Sequence, residues 1–415
     1  MGHFLTGQIS VQFLNLILGF LLLRWFTKAE FAQFGLAFAF QGTVSSLVDL
    51  GFSGSIVALV GENKADRGVV GKYIDAARTL RGRLSVVGIA VSCLIFPVLA
   101  LRQGWSINTT LLLLGAIIAT VLFQNKIVYS APLLIYNELK PFYRSQTVAS
   151  CVRLITTSVL YVFGLLSAAS AACVVAISTG IMGTLYQRSA SSLFQESRDD
   201  TRKYTQEMIR YLSPMMPVII FSTLQNQIVI ALAAWFGKTA NIAEVAALGR
   251  LAQLFLVLGA FNAVIVQPYI AGVPLGSLVI RYLQILSGAV LVAGALATLG
   301  FVFPEVFLWI LGKNYAGLGS EVSLSIGAAC LNYIAGVMFT MNAGRKWVFW
   351  WSTALEIFLL IVIDILCVRF VALDTTLGLM KFSLITGATF LAIHAINGAY
   401  GLYHRNRLYL LTSTQ

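Results

Sequence analysis

Apolar stretches of about twenty residues follow one another along the chain, separated by short polar segments. A helix needs about 20 apolar residues to cross the hydrocarbon core of a bilayer. Twelve stretches come close to or exceed that length, and they cover residues 4–25, 33–60, 84–101, 109–136, 147–167, 169–187, 212–236, 243–270, 281–303, 321–342, 348–370 and 376–400. The pattern predicts an all-α polytopic membrane protein with about twelve transmembrane helices.

Composition agrees with this class of protein. Of the 415 residues, 58% are hydrophobic and 11% are charged, which is more apolar surface than a soluble chain can bury. The five cysteines are an odd number and no CxxC pair occurs. We therefore expect no disulfide framework, no metal site and no cofactor. The segments between the spans are too short for a soluble catalytic domain.

The basic residues are distributed unevenly between the two sets of loops. If both termini are cytoplasmic, the inner loops and tail carry 18 of the 28 Lys and Arg residues, and the outer loops and helix ends carry six. The inner set is Lys64, Arg67, Lys72, Arg78, Arg81, Arg83, Lys140, Arg144, Arg188, Arg198, Arg202, Lys203, Arg210, Arg281, Arg345, Lys346, Arg405 and Arg407. The positive-inside rule then predicts a membrane protein with both termini in the cytoplasm. Because the inner charges lie beside anionic lipid, the net charge of +12 does not indicate a nucleic-acid partner.

The two halves of the chain echo each other weakly. Six predicted spans lie on each side of the longest polar segment, and the pattern WFxK at 25–28 recurs at 235–238. We predict an N-terminal six-helix bundle at 1–187, a cytoplasmic linker at 188–211 and a C-terminal six-helix bundle at 212–415. Two parallel bundles suit a transporter that rocks around a central cavity.

Polar residues recur on single faces of several spans, because positions four apart share a side of a helix. The members predicted to line a cavity are Gln8, Gln12, Asn15, Gln41, Asp49, Asn125 and Asn226. The alternative for each stripe is a set of hydrogen bonds to neighbouring helices, each worth about 0.6 kcal/mol.

Four basic residues lie within spans and are candidates for binding an anionic substrate: Lys126, Arg153, Arg250 and Lys381. Charges inside a membrane usually face a cavity or a partner. Three of the four lie near a span end, from which a long side chain reaches water. Lys126 is about ten residues, or roughly 15 Å of helix, from the end of its span, and it is therefore the strongest cavity candidate.

Three acidic residues within spans are candidates for coupling transport to an ion: Asp49, Glu356 and Asp364. Glu356 and Asp364 are either proton-relay sites or partners of a basic residue in another span. Asp49 precedes Gly51 and Gly54, so its alternative role is at a hinge or a helix end.

Parts of the sequence resemble polysaccharide (O-antigen and capsule) flippases of the MOP exporter superfamily. The resemblance is carried by the pairs Phe34-Gly35 and Leu50-Gly51, by the segment FPEVFLWILGKNYAGLGSEVSL at 303–324 and by NAGRKW at 342–347. It implies translocation of an isoprenoid-pyrophosphate-linked oligosaccharide to the outer leaflet, with cations lining the lumen. It also implies a location in the bacterial inner membrane and a role in lipopolysaccharide and exopolysaccharide biosynthesis. The implied partners are the lipid-linked oligosaccharide, membrane lipids, and the polymerase and chain-length proteins of polysaccharide assembly.

Two other functions fit the sequence less well. A cation-coupled multidrug exporter of the same superfamily is expected to favour carboxylates in its N-terminal half, where this chain has Asp49 against Lys126 and Arg153. A membrane polymerase or ligase is expected to carry a large outer loop with clustered Arg, His or Tyr, whereas the outer loops here are short. We therefore expect a transporter and not an enzyme.

Overall fold

The computed structural model describes residues 2–60, 66–195, 201–253, 255, 258–259 and 262–404. These residues are helical or lie in turns, and no strand occurs among them. They belong to two compact units, Met1–Ala243 and Glu244–Gln415. The prediction of an all-α polytopic membrane protein is confirmed.

The helices of the first unit begin with a long N-terminal pair and include several short segments. They are α1 (Gly2–Trp25), α2 (Lys28–Asp49), α3 (Phe52–Val60), α4 (Arg67–Arg102), α5 (Ile107–Gln124), a 3-10 segment (Asn125–Tyr129), α6 (Ser130–Ile135), α7 (Leu139–Val162), α8 (Ala168–Ala190), α9 (Arg202–Leu212), α10 (Met216–Gln225), α11 (Ile228–Phe236) and α12 (Thr239–Ala252), the last of which continues into the second unit.

The second unit contains mainly long helices. After a short π-helical segment (Asn262–Val266) come α13 (Gln267–Gly272), α14 (Leu275–Val302), α15 (Pro304–Leu311), a 3-10 turn (Lys313–Tyr315), α16 (Gly319–Gly344), α17 (Trp350–Phe370) and α18 (Thr376–Tyr403).

Nine helices of the described residues are long and apolar enough to cross a membrane, and a tenth span results if the bent pair α10 and α11 is counted as one. Of the two remaining predicted spans, 147–167 corresponds to α7, which is helical but carries many polar residues. The other, 243–270, lies partly outside the described residues. The count of twelve therefore stays a prediction.

Hydroxyl and carboxylate side chains set several helix starts. Thr27 and Glu30 form a reciprocal capping box at the start of α2, and Asp66 accepts hydrogen bonds from Gly68 and Val69 at the start of α4. Ser106 and Ser167 cap α5 and α8 in the same way. These residues satisfy backbone N–H groups that have no partner within the helix.

Three predicted spans are interrupted, and the sequence offered a hinge at only one of these breaks, next to Asp49. The span at 33–60 breaks at Leu50 and Gly51, which have φ angles of 40° and 84°. The span at 109–136 changes to 3-10 helix after Gln124. The span at 212–236 bends by 50° between α10 and α11. Hydropathy measures only the apolar content of a window, so it does not detect a local change in backbone hydrogen bonding.

The start of α4 also differs from the prediction. The apolar span was expected to begin at residue 84, whereas the helix begins at Arg67 and runs for 36 residues. At 1.5 Å per residue it is about 54 Å long, which exceeds the roughly 30 Å hydrocarbon core. The basic segment that reads as a loop is therefore the first half of a helix.

The main core of the first unit joins α3, α4, α6, α8 and α9 with the 3-10 segment. Its buried residues include Phe52, Tyr73, Tyr129, Tyr186 and Met208. Helices α9, α10 and α11 pack against α2, α3 or α4. The predicted division into six-helix bundles at 1–187 and 212–415, joined by a linker at 188–211, stays a prediction.

Candidate functional site

Lys126 lies in the 3-10 segment that interrupts the fourth predicted span. Its side chain is exposed on the first unit, and Nζ lies 3.4 Å from Oγ1 of Thr184 on α8. The sequence suggested that Lys126 lies on the face of a regular helix. In the structure it lies at a break in that helix.

Gly183 permits α8 to approach this segment closely. A Cβ atom on Gly183 would lie 2.6 Å from Cβ of Lys126 and 3.4 Å from the Lys126 carbonyl carbon. The 2.6 Å separation is far shorter than van der Waals contact, so only glycine fits here without displacing one of the two elements. The backbone around Lys126 is thus closely packed on the side facing α8.

Arg153 contacts the same helix as Lys126. Its Nε donates a hydrogen bond of 2.9 Å to Oγ of Ser178. Ser178 and Thr184 are six positions apart on α8, which corresponds to about 9 Å along the axis and about 120° around it. The structure therefore brings Lys126 and Arg153, the two substrate-binding candidates of the first unit, to one helix, but to different sides of it.

A buried ion pair lies next to the Lys126 segment. Arg81, on α4, donates from Nη1 to Oδ1 of Asp49 and, at 2.8 Å, to Oγ of Ser53. Its Nη2 donates to the backbone carbonyl of Gln124 at 2.5 Å. The Arg81 side chain is 0% exposed, while that of Asp49 is 28% exposed. Asp49 is therefore the partner of a buried arginine.

Asn125 extends this polar cluster. Its Oδ1 accepts a hydrogen bond of 3.2 Å from Oγ of Ser85, one turn after Arg81 on α4. Asn125 thus connects the 3-10 segment to α4. The bond from Arg81 to the carbonyl of Gln124 makes a second connection to α4, one residue earlier.

Arg81 is the residue that sequence reasoning missed, since its segment was assigned to a cytoplasmic loop. A signal was present: Tyr73 and Ala77 precede Arg81 at intervals of four residues, and both are buried. Four-residue spacing places all three on one helical face. Apolar periodicity within a charged segment would have identified the buried position.

Gln41 is buried among three helices. Its Nε2 donates to Oγ1 of Thr120 at 2.8 Å and to the carbonyls of Ala116 and Ala172 at 3.2 and 3.1 Å. The side chain is 2% exposed. This position favours the alternative in which a polar residue of a span joins neighbouring helices and does not line a cavity.

The other polar positions predicted in the first unit are more accessible. Gln8, Gln12 and Asn15 are half-buried on α1, and Asn226 is exposed at the bend between α10 and α11. A second interrupted span therefore also carries an exposed polar side chain at its break.

The charged candidates in the second unit are dispersed over three helices. Arg250 is buried on α12 and Lys381 is exposed on α18. Glu356 and Asp364 are half-buried on α17. Near the start of α12, Glu244 accepts a hydrogen bond of 2.5 Å from Oγ1 of Thr376, so a further acidic residue of this unit has a hydroxyl partner.

The sequence matches a family model described as polysaccharide biosynthesis protein over residues 2–274. This match covers more than half of the chain. The chain belongs to this family. The matched region includes Asp49, Arg81, Lys126 and Arg153, and it ends before Glu356, Asp364 and Lys381. A comparison with curated proteins gives no match.

Solved transporter structures share the fold of this family member. A lipid II flippase, MurJ, in an inward closed conformation has a TM-score of 0.71 at 11% identity, covering 99% of this chain and 92% of that chain. An inward-facing multidrug resistance MATE transporter of the MOP superfamily has a TM-score of 0.69 at 14% identity, covering 98% and 96%. A MOP superfamily transporter from Pyrococcus furiosus has a TM-score of 0.60 at 13% identity, covering 99% and 94%. The chain therefore has the fold of MOP superfamily transporters.

Proposed function

We propose that this protein is a flippase for isoprenoid-pyrophosphate-linked oligosaccharides. It would move O-antigen or exopolysaccharide repeat units from the cytoplasmic to the outer leaflet of the bacterial inner membrane by alternating access. The observation that carries the proposal is the match to a polysaccharide biosynthesis family by a chain with a transporter fold. The substrate is carried across unchanged, so the protein acts as a transporter and not as an enzyme.

The cations supply the chemistry that such a cargo requires. A pyrophosphate moving through a low-dielectric region needs positive charge and hydrogen-bond donors. We assign substrate binding to Lys126, Arg153, Arg250 and Lys381. The exposed position of Lys126 supports its role, because the ammonium group is accessible to a phosphate.

The remaining candidates complete the proposal. Gln8, Gln12, Asn15, Asn125 and Asn226 would line the transport path. Glu356 and Asp364 would couple transport to an ion gradient. Beside the substrate and membrane lipids, we propose contacts with the polymerase and chain-length proteins of the same assembly system.

The pairing of Asp49 bears on the alternative of a cation-coupled multidrug exporter, which the likeness to a MATE transporter keeps in view. An exporter of cationic drugs is expected to present a free carboxylate. Asp49 is instead bound to a guanidinium group and a hydroxyl. The first unit therefore offers accessible positive charge, as an anionic cargo requires.

Deletion of the gene in its host tests the proposed function. We expect loss of surface polysaccharide and accumulation of lipid-linked units on the cytoplasmic side, both restored by the wild-type gene. Normal surface polysaccharide without accumulation would contradict the flippase. If that result came with increased sensitivity to cationic compounds, it would support the exporter.

Lys126→Ala tests the site in the same complementation system. Loss of a charge-assisted hydrogen bond costs about 1.5–3 kcal/mol, so we expect flipping to fall about tenfold or more, with Lys126→Arg less affected. Lys140→Ala, which alters an exposed lysine at the start of α7, is the control and should flip normally. If Lys126→Ala flipped normally at equal expression, Lys126 would not contact the substrate.

A further inference from the structure

Arg81 connects the breaks of two membrane spans. On one side it contacts Asp49 and Ser53, which flank the left-handed residues between α2 and α3. On the other side it contacts the carbonyl of Gln124, the last residue of α5. One guanidinium group thus bonds to both interrupted helices.

The two helix ends explain why an arginine is favourable at this position. α2 and α5 both terminate at Arg81, and helix C-termini carry partial negative charge and carbonyls without intrahelical partners. A planar guanidinium donates in several directions at once, whereas an ammonium acts as a point charge. A fully buried cation requires such partners, since an unpaired buried charge is strongly destabilising.

The Arg81 contact lies two residues before Lys126. Gln124 is held by Arg81, and Asn125 is held by Ser85 on the same helix. Across the segment, α8 lies against Lys126 at Gly183. The backbone that carries Lys126 is therefore fixed between α4 on one side and α8 on the other.

We infer that Arg81, held by Asp49, is the positioning residue for Lys126. By bonding to both breaks it keeps the 3-10 segment in register with α8, so that the Lys126 ammonium lies beside Thr184. That Arg81 holds Lys126 beside Thr184 does not depend on the proposed function. That this arrangement is needed for flipping does depend on it. Asp49 acts here through Arg81 and not by contact with the cargo.

Cross-linking tests the placement without any substrate. Lys126→Cys and Thr184→Cys are combined in a chain whose five native cysteines are replaced, and a bifunctional thiol reagent about as long as a lysine side chain is added. We expect efficient cross-linking with Arg81 present and at least a fivefold lower yield with Arg81→Gln. Arg81→Lys should give an intermediate yield, because it retains the charge but does not bond to both helix ends.

Two controls separate positioning from loss of the fold. Arg83→Gln removes an exposed arginine two positions along α4 and should leave the yield unchanged. A second cysteine pair at Gln103 and Thr239, whose side chains are 3.1 Å apart in the same unit, should cross-link equally in all variants. If Arg81→Gln lowered the cross-linking yields of both cysteine pairs, its fold would be disturbed. The yields of Arg81→Lys, measured with the pair at positions 103 and 239 cross-linking normally, would then test the inference.

Flipping is measured separately in chains that retain Lys126. We expect at least a tenfold loss for Arg81→Gln, a smaller loss for Arg81→Lys and none for Arg83→Gln, in the same order as the cross-linking yields. The inference would be overturned if Arg81→Gln left the cross-linking yield between positions 126 and 184 unchanged. Where Arg81→Gln disturbs the fold, the same result in Arg81→Lys would overturn it. A lowered yield with normal flipping would remove the functional role of the placement, while the gene deletion still decides the flippase itself.

Discussion

At the scale of single residues, polar side chains within the spans divide into two kinds. Gln41 is buried and bonds to α5 and α8. Lys126 is exposed and contacts one hydroxyl. Both belong to the same class by sequence, because a polar residue in an apolar span signals only that it avoids lipid. Burial and partners decide whether it joins helices or binds a ligand.

We predict that Gln41→Leu lowers the free energy of unfolding by about 1–2 kcal/mol, because it removes the hydrogen bonds that the Gln41 amide donates to α5 and α8 at nearly constant volume. Flipping per folded molecule should not change. Thermal unfolding in detergent and the complementation assay measure the two effects. Gln33→Leu, at a half-buried position of the same helix, is the control. Normal stability with lost flipping would instead place Gln41 on the transport path.

At the scale of elements, the interruptions of helices place the candidate side chains. Arg81 bonds to the side chains of Asp49 and Ser53 beside the break at Leu50. It also bonds to the carbonyl of Gln124 at the second break, which Lys126 follows. Broken helices free backbone groups within a membrane, and these groups must find partners inside the protein. The buried Arg81 meets that requirement for the carbonyl of Gln124.

We predict that Gly183→Ala displaces the 3-10 segment, because the added Cβ would meet Cβ of Lys126 at 2.6 Å. Overpacking of this kind costs about 1–3 kcal/mol, and flipping should fall with it. Gly115→Ala is the matched control, since nothing lies within 4 Å of its added Cβ. That change should stabilise α5 by about 0.5–1 kcal/mol. If Gly183→Ala and Gly115→Ala had equal thermal stability, α8 could move away from Lys126 at little cost in free energy, which would contradict the prediction.

At the scale of the whole molecule, the charge pattern and the helices together describe a multi-pass membrane protein. The helices that cross are separated by short turns, such as the one at Gly104 between α4 and α5. Five of the six basic residues of α4 lie in its first half, an apolar half follows, and the sixth, Arg102, is its last residue. That order agrees with an orientation in which α4 begins in the cytoplasm.

We predict that both termini are cytoplasmic. A fluorescent protein fused after Gln415 should fluoresce, and alkaline phosphatase at that position should be inactive. Alkaline phosphatase inserted at Gly104 should be active, because that turn follows the outer end of α4. If alkaline phosphatase were active when fused after Gln415 and inactive when inserted at Gly104, the orientation would be the reverse of the one predicted.

The class of fold was accessible from the sequence for a direct physical reason. Spans of about twenty apolar residues and an uneven distribution of Lys and Arg between the loops follow from the thickness of the bilayer and the positive-inside rule. Pairs such as Leu50-Gly51 also marked the family, which the match over residues 2–274 confirms. Lys126 was selected because its distance from a span end is set by helix rise alone.

By itself, therefore, the sequence determined that the chain crosses a membrane many times, which family it belongs to and which charges demand an explanation. Only the tertiary structure decided that Arg81 is buried with Asp49, that Gln41 joins helices and that Lys126 lies at a break beside α8. The physical reason is that hydropathy measures only how apolar a segment is, and therefore how favourably it transfers into lipid. Burial, capping and pairing depend on residues dozens of positions away, such as Asp49 and Gln124 for Arg81.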